Sequence, residues 1–232
     1  MIEIVNLKKI YGPEEALNIQ KLSIRKSECF GLVGNNGAGK TTMFRLILDL
    51  IRASSGTVYI EGKSVSHSEE WKRKVGSYLD ENMLLSFLTP TEYFETLRKI
   101  YNLSEQDLEN HLKRFAPLFN EEILGKKKYI RNLSKGNIKK VGIAAAFIGS
   151  PSIILLDEPF ENLDPTSQNR LKKMIADENR RNGTTFLISS HDLVHITEIC
   201  DRIVLLEKGH VIKDLKEEKA VMAAELADYF DR

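Results

Sequence analysis

The stretch CFGLVGNNGAGKTTMFRLILDL, residues 29–50, decides the fold of this chain. It starts with a short apolar run that predicts a buried strand, and the glycine-rich GNNGAGKTT then breaks the strand and opens a helix. Apolar residues recur at helical spacing beyond the glycines, at Met43, Phe44, Ile47, Leu48 and Ile51. Strand, glycine-rich loop and helix in this order are the setting that a phosphate-binding loop requires.

The loop also has the residue types and the spacing of that motif, which are Gly34, four further residues, Gly39, Lys40 and Thr41. Glycines leave room for successive backbone N–H groups to curl around an anion at the N-terminus of a helix. We predict that Lys40 reaches the terminal phosphates and that the hydroxyl of Thr41 binds Mg²⁺. The predicted nucleotide contacts in this loop are Asn35, Gly37, Ala38, Gly39, Lys40, Thr41 and Thr42.

The overall composition is that of a globular protein. The chain has 232 residues, of which 42% are apolar and 29% charged, and its formal net charge of +1 offers no strong field for nucleic acid or an anionic membrane. No apolar run approaches the length of a membrane span, and the N-terminal MIEIVNLKKIYG lacks the apolar region of a signal peptide. We expect a cytosolic chain, with Cys29 and Cys200 as isolated buried residues rather than a disulfide or zinc site.

The residues before the loop predict two antiparallel strands. IEIVNL (residues 2–7) and LNIQKLSI (residues 17–24) alternate apolar and polar residues, as half-buried strands do. Tyr11 lies between them, where its ring would either stack on the adenine of a nucleotide or pack over a strand edge. The sequence leaves both roles open.

We predict a single domain, residues 1–232, that contains a helical insertion. Strand signals stop near residue 85, and helical periodicity appears in residues 91–101, 104–115 and 134–147. The predicted parts are a core with its antiparallel strands (residues 1–78 and 151–214), the helical insertion (residues 79–150) and a short C-terminal helix (residues 215–232).

Two acidic residues follow an apolar run in SIILLDEP, residues 152–159. Such a run predicts a parallel strand buried on both faces, so Asp157 and Glu158 emerge at its carboxyl end, where ligands bind in open α/β sheets. There Asp157 would hold Mg²⁺, and Glu158 would polarise the attacking water. The run TTFLISSH delivers His191 to the same edge, where its imidazole would hydrogen-bond the γ-phosphate and hold that water in line.

With these motifs in this order, the chain resembles the nucleotide-binding subunits of ABC transporters over nearly its whole length. GNNGAGKTT stands at Walker A, LSKGN (residues 133–137) at the signature, ILLDEP at Walker B, ENLDP at the D-loop and SSH at the switch histidine. The resemblance implies the P-loop NTPase ABC ATPase fold, an α/β fold with a mixed or parallel sheet core, an N-terminal antiparallel β subdomain and a helical insertion. It also implies hydrolysis of ATP with Mg²⁺, which makes Glu158 and His191 catalytic.

Within that family the motifs resemble those of the ATPases of bacterial ABC-2-type exporters. The resemblance implies that Ser134 and Gly136, at the start of a helix, complete the ATP site of a second subunit in a head-to-tail homodimer or heterodimer. Taken alone, LSKGN would simply be a helix cap. Lys135 and Asn137 depart from the common LSGGQ signature, whereas Ser134 and Gly136, which the phosphate contact needs, remain.

A second departure from the family concerns the metal. Alignment of VGSYLDENMLLSFLTP with the family pattern puts Asp80 at the position of a glutamine that normally touches Mg²⁺ and the attacking water. An aspartate can bind Mg²⁺, but it adds negative charge near the triphosphate and does not donate a hydrogen bond. We expect an altered metal dependence or a slower turnover.

The implied function is to power a membrane transporter, with export as the expected direction, through ATP-driven closure and hydrolysis-driven opening of the dimer. The implied partners are separate transmembrane permease subunits, which would hold the chain at the cytoplasmic face of the bacterial inner membrane. Residues 82–88 and part of the next helix form the expected docking surface, although the apolar NMLLSFL also suits a piece of local core. The alternatives are a soluble ABC ATPase acting on the ribosome or nucleic acid, and a regulatory subunit that only binds nucleotide.

Overall fold

The computed structural model describes residues 1–230, which fold into β-strands and α-helices. In chain order the strands are β1 (Ile2–Tyr11), β2 (Glu14–Ile24), β3 (Cys29–Val33), β4 (Ser55–Ile60), β5 (Lys63–Ser64), β6 (Val75–Tyr78), β7 (Ile153–Asp157), β8 (Thr185–Ser190), β9 (Arg202–Glu207) and β10 (His210–Leu215). The α-helices are α1 (Lys40–Ile47), α2 (Pro90–Ile100), α3 (Glu105–Phe119), α4 (Lys135–Ala146), α5 (Pro165–Asn182), α6 (Leu193–Ile199) and α7 (Lys219–Phe230).

The N-terminal sheet is antiparallel, with the strand order β2-β1-β4-β5. β1 and β2 pair with Ile2 opposite Ile24, and the alternating residues Ile2, Ile4 and Leu7 are buried. The predicted pair of half-buried antiparallel strands is therefore confirmed, because one face of this sheet packs on the core while the other faces solvent.

The central sheet has six strands in the order β10-β9-β3-β8-β7-β6. The neighbouring pairs from β9 to β6 are parallel, and β10 adds an antiparallel edge strand. Every residue of β3, β7 and β8 is buried, as expected for strands covered on both faces. The predicted mixed sheet with a parallel core is confirmed.

Side chains alternate between two cores across the central sheet. Phe30 and Leu32 of β3 pack with α1 and the N-terminal sheet, whereas Cys29 and Val33 pack with helices on the opposite face. Because β3, β8 and β7 are parallel neighbours, their carboxyl ends meet at one edge of the sheet.

Helices α2, α3 and α4 occupy the chain between β6 and β7. α2 begins at Pro90 behind a capping box of Thr89 and Glu92, so the predicted start at Thr91 was wrong, because Thr89 supplies the cap. α3 follows Ser104, whose hydroxyl caps it by accepting from the N–H of Asp107. The division into a core and an insertion of residues 79–150 stays a prediction.

The end of α1 and the start of α7 also differ from the predictions. α1 ends at Ile47, because Asp49 takes a left-handed φ of +52°, and Ile51 packs on the core from outside the helix. α7 begins at Lys219, and Leu215 instead ends β10, where it pairs with Ile203. The last two residues of the predicted C-terminal helix, residues 231 and 232, lie outside the described residues.

The two cysteines are both buried, as predicted, and both carry free thiols. They are far apart in the sequence but adjacent in the fold, with 3.8 Å between Sγ of Cys29 and Sγ of Cys200. Burial raises the pKa of the Cys200 thiol well above its usual range, so this group stays protonated and packs as a small apolar residue.

Candidate active site

The glycine-rich loop after β3 wraps around a cavity of about 520 Å³. Gly39 has a left-handed φ of +106°, and a Cβ there would lie 2.8 Å from the carbonyl oxygen of Ala16, so a side chain would be strained and obstructed. Nζ of Lys40 donates to the carbonyl oxygen of Gly34 at 2.6 Å, which holds the ammonium across the loop. The cavity is lined by Glu14, Glu15, Ala16, Asn35, Asn36, Gly37, Ala38, Gly39, Lys40, Thr41, Thr42, Glu158 and Lys208.

This lining includes every loop residue predicted to contact the nucleotide. Helix α1 begins at Lys40 without a side-chain cap, so the N–H groups of its first turn are available to an anion. The loop, the helix N-terminus and one lysine thus form a cradle suited to phosphate groups.

Tyr11 lies outside this lining. It is the last residue of β1, its side chain is exposed, and the ammonium of Lys9 lies 4.7 Å from its ring centroid. The ring is therefore solvent-accessible with a cation on it, and its contact with adenine stays a prediction.

Asp157 ends β7 beside the first turn of α1. Its Oδ2 accepts a hydrogen bond of 2.5 Å from the hydroxyl of Thr41, and its Oδ1 accepts one from the hydroxyl of Ser189 on β8. Burial raises the pKa of the Asp157 carboxyl, while the two hydroxyl donors act in the opposite direction. A carboxylate and a hydroxyl in contact provide the hard oxygen donors that Mg²⁺ prefers.

Glu158 is the first residue after β7, and its backbone is strained. Its φ is +47°, a left-handed value that costs a non-glycine residue about 1–3 kcal/mol. Its side chain lies between two of the predicted site residues. Oε1 is 3.3 Å from Nζ of Lys40, and Oε2 accepts from the backbone N–H of His191 at 3.2 Å and lies 3.0 Å from Nδ1 of its ring.

Asp80 lines an adjoining cavity that Asp157 and Glu158 also line. Its Oδ1 caps a short 3-10 turn by accepting from the N–H of Asn82 at 2.8 Å, and its Oδ2 lies 3.3 Å from Nη2 of Arg45. The fold therefore brings Asp80 to the cavity that Asp157 and Glu158 line, and it pairs the Asp80 carboxylate with the guanidinium of Arg45.

The signature residues Ser134 and Gly136 lie in a separate cavity of about 530 Å³, which shares no lining residue with the phosphate-loop cavity. The hydroxyl of Ser134 accepts from the N–H of Asn137 at 3.2 Å and so caps α4. A Cβ on Gly136 would lie 2.6 Å from the carbonyl oxygen of Asn162, so glycine is needed for close packing. The cap is present in the structure, and the anion site stays a prediction.

Comparison with known proteins identifies the family to which this chain belongs. The family model described as ABC transporter matches residues 17–161, more than half of the chain. The chain belongs to the ABC transporter family.

Several bacterial ATP-binding proteins of ABC transporters are similar to this chain in sequence. The lantibiotic transport ATP-binding protein SrtF of Streptococcus pyogenes is 32% identical over 91% of this chain and 89% of its own length. The bacitracin transport ATP-binding protein BcrA of Enterococcus faecalis is 33% identical over 93% of this chain and 69% of its own length. The match to an uncharacterized ABC transporter ATP-binding protein of Synechocystis is 34% identical and covers 85% of this chain but only 56% of that protein.

A solved ABC cassette has the same fold. The dimeric ATP-binding cassette MJ0796, in a post-hydrolysis state with ADP and Pi, superimposes with a TM-score of 0.82 and 27% identity over 93% of this chain and 98% of that one. The ABC ATPase fold expected from the motifs is thereby confirmed. The chain is an ATP-binding and ATP-hydrolysing member of its family. Along residues 1–230, no helix is both long and apolar enough to cross a membrane.

Sequence reasoning missed two residues of this ABC site. Ser189 stands within the SSH motif, and its hydroxyl donates to Asp157 and accepts from the N–H of Glu158 at 3.0 Å. Lys139 was not singled out, yet it is buried and donates to the carbonyl oxygen of Glu158 at 2.6 Å. The available signal was a lysine on the apolar face of α4, where an unpaired charge is costly.

Proposed function

We propose that this chain binds ATP and Mg²⁺ through the loop of residues 34–42 and hydrolyses ATP with Glu158 as the base, to power a membrane transporter. The observation that carries the proposal is the 2.5 Å hydrogen bond from Thr41 to Asp157, with the Glu158 carboxylate adjacent to it. This contact joins the first turn after the phosphate loop to the acidic end of β7. Phosphate, metal and attacking water would thus share one sheet edge.

The proposed roles follow from the chemistry of the groups. Lys40 and the backbone N–H groups of the loop bind the phosphates, and the carboxylate of Glu158 takes a proton from the attacking water. Nδ1 of His191 lies 3.0 Å from Oε2 of Glu158, within hydrogen-bond distance of the proposed base. From its position beside Glu158, the imidazole would hold the water and the γ-phosphate.

Thr41 and Asp157 would hold Mg²⁺, with Asp80 as a further oxygen ligand. Their donor atoms are one hydroxyl and two carboxylates, which fit a hard cation that also keeps phosphate and water ligands. Among residues 1–230 no cluster of three or more His, Cys, Asp or Glu could hold a metal ion by itself, so the nucleotide would complete the coordination. The metal would supply neutralisation of phosphate charge.

We further propose that two cassettes act together, as a homodimer or with a sister subunit. The signature residues Ser134 and Gly136 lie away from Lys40, so they would contact an ATP held by a second chain. MJ0796 is a dimer with ADP and Pi, which supports this arrangement.

The transporter's membrane part would be a separate permease that docks on residues 82–88. Phe87 is 58% exposed and Leu85 39% exposed, whereas Leu84 is buried, so this loop has both a core side and an exposed apolar side. The relatives SrtF and BcrA are named as lantibiotic and bacitracin transport proteins, which supports an exporter. Docking would place the chain at the cytoplasmic face of the membrane.

Purified wild type, Glu158→Gln and the surface control Glu69→Gln test the catalytic proposal by phosphate release and size exclusion in MgATP. We expect wild type and control to hydrolyse ATP, and Glu158→Gln to be inactive and dimeric with ATP. Hydrolysis by Glu158→Gln at the wild-type rate would remove Glu158 as the base. An active wild type whose Glu158→Gln variant stays monomeric with ATP would reject the homodimer.

The docking surface has its own test in native membranes. Phe87→Asp is expected to reduce the fraction of the chain that sediments with membranes and to leave its ATPase rate unchanged. Val221→Asp, at an exposed apolar position on α7, is the control. Equal sedimentation of all three proteins would contradict docking at residues 82–88.

A further inference from the structure

We propose that Lys139 is a positioning residue for ATP hydrolysis, which holds the backbone of Glu158 through a hydrogen bond to its carbonyl oxygen. The proposal rests on the proposed function in one respect, because it takes Glu158 as the base. It gives a residue of α4, the helix that begins after the signature residue Ser134, a role in the chain's own ATP site.

Lys139 lies on α4 and is 8% exposed. Its Nζ donates to the carbonyl oxygen of Glu158 at 2.6 Å, a short distance typical of a charge-assisted bond. The nearest carboxylate oxygen in an ion pair with it is Oε2 of Glu161, at 3.8 Å. The main contact of the ammonium is therefore a backbone oxygen of Glu158.

The backbone of Glu158 needs such support. Its φ of +47° is left-handed, and it precedes Pro159, a position where the extended region is normally preferred. Its N–H is fixed by Ser189, and within residues 1–230 its carbonyl oxygen accepts, besides the Lys139 bond, only a long bond of 3.3 Å from the N–H of Glu161. A conformation of this kind persists only where its surroundings hold it.

Fixing the carbonyl group of Glu158 also fixes the position of its carboxylate. The Glu158 side chain lies between Lys40 and His191, and a rotation of its backbone would move Oε1 and Oε2 away from both. Small displacements of a catalytic group lower the rate strongly, because the reacting atoms must be aligned. Loss of the Lys139 bond should therefore reduce turnover and leave the phosphate-binding loop intact.

The same bond joins two ATP sites in the proposed dimer. Ser134 caps α4 just before the turn that carries Lys139, and its proposed ligand is the ATP of the second chain. Helix α4, which would contact that ATP, is thus hydrogen-bonded to Glu158, the proposed base of this chain's own site.

Two substitutions separate the hydrogen bond from the charge of the lysine. Lys139→Met keeps the length of the side chain and removes both donor and charge, whereas Lys139→Gln keeps an N–H donor without the charge. The matched control is Lys172→Met, because Lys172 is also a largely buried lysine, paired with Glu198 at 2.5 Å on a helix away from the cavity.

Steady-state ATPase rates, ATP affinity and thermal unfolding are measured for these variants. We expect Lys139→Met to lower kcat about tenfold with KM and ATP affinity within twofold of wild type, Lys139→Gln to stay within threefold, and Lys172→Met to keep the wild-type kcat. A kcat for Lys139→Met within twofold of wild type would overturn the proposal.

A double variant distinguishes this proposal from the assignment of Glu158. If Lys139 acts through Glu158, the single-turnover rate of Lys139→Met/Glu158→Gln equals that of Glu158→Gln, whereas independent roles multiply. If the losses in rate multiply, the positioning role of Lys139 is rejected and the assignment of Glu158 as the base is unaffected. A Glu158→Gln variant with the wild-type rate would instead reject the base, and the positioning role with it.

Discussion

The ammonium of Lys40 lies 3.3 Å from Oε1 of Glu158, so the lysine proposed to bind phosphate is paired with the carboxylate proposed to activate water. Oε1 is buried and accepts no hydrogen bond within residues 1–230, which leaves this ion pair as its main stabilising contact. An incoming γ-phosphate would compete with Glu158 for the cation. Binding of ATP and release of the base would therefore be linked.

The first prediction concerns this competition. Glu158→Gln removes a negative charge beside the phosphate cavity and frees Lys40, so we expect ATP to bind about three- to tenfold more tightly while hydrolysis falls at least about a hundredfold. Fluorescent-nucleotide titration and single-turnover phosphate release measure the two effects. Weaker ATP binding by the variant would contradict the proposed competition.

The second prediction concerns Asp80 and Arg45. Asp80→Gln removes a charge near the triphosphate and restores an amide donor, so we expect the apparent Mg²⁺ optimum to shift and kcat/KM for MgATP to rise about two- to fivefold. Arg45→Gln leaves the Asp80 charge unpaired and should weaken ATP binding. Asp80 has no catalytic role if its replacement changes neither the Mg²⁺ dependence nor the rate.

The third prediction separates the structural and functional roles of the signature serine. Ser134→Ala removes the cap of α4, which should cost about 1 kcal/mol in the free energy of unfolding, and also removes the proposed contact with the second chain's ATP. Ser104→Ala is the control, because Ser104 also caps a helix: its hydroxyl accepts from the N–H of Asp107 at 3.1 Å and donates to the carboxylate of Asp107 at 2.6 Å, a capping box that Ser134 lacks.

We expect both serine variants to lose stability in urea titrations, Ser104→Ala at least as much as Ser134→Ala, and only Ser134→Ala to lose ATPase activity, by about tenfold or more. Equal ATPase rates in the two variants would leave Ser134 as a helix cap and nothing more.

The fourth prediction concerns pH and His111 on α3. Burial lowers the pKa of this imidazole to about 4, and Nε2 donates to the carbonyl oxygen of Ala144 at 3.0 Å. The neutral ring is favoured in the folded state, so its stabilising effect is complete above about pH 6.5 and is lost as pH falls toward 4. Between pH 7.5 and pH 5 the loss should reach about 2 kcal/mol.

His111→Gln, which keeps a donor for Ala144, should remove most of that pH dependence in urea titrations at pH 7.5 and pH 5. His67→Gln, at an exposed histidine, should keep it. If His111→Gln retains the wild-type difference between the two pH values, another group is responsible.

Much of the site follows from local sequence. The loop, the buried strand before Asp157 and the strand before His191 have clear patterns, and parallel strands place their carboxyl ends at one edge. The structure accordingly joins Thr41 to Asp157 and His191 to Glu158. Helix ends were less predictable, because a left-handed Asp49 ends α1 while its apolar spacing continues to Ile51.

The sequence by itself determined the fold class, the order of the motifs and the chemical groups at the sheet edge, because strand alternation, helical periodicity and glycine-rich turns are local properties. Only the tertiary structure decided that Lys40 faces Glu158, that Arg45 faces Asp80 and that Lys139 holds a strained backbone carbonyl. These contacts join segments far apart in the chain. They depend on how buried side chains of neighbouring elements pack and which polar atoms that packing leaves in need of a partner.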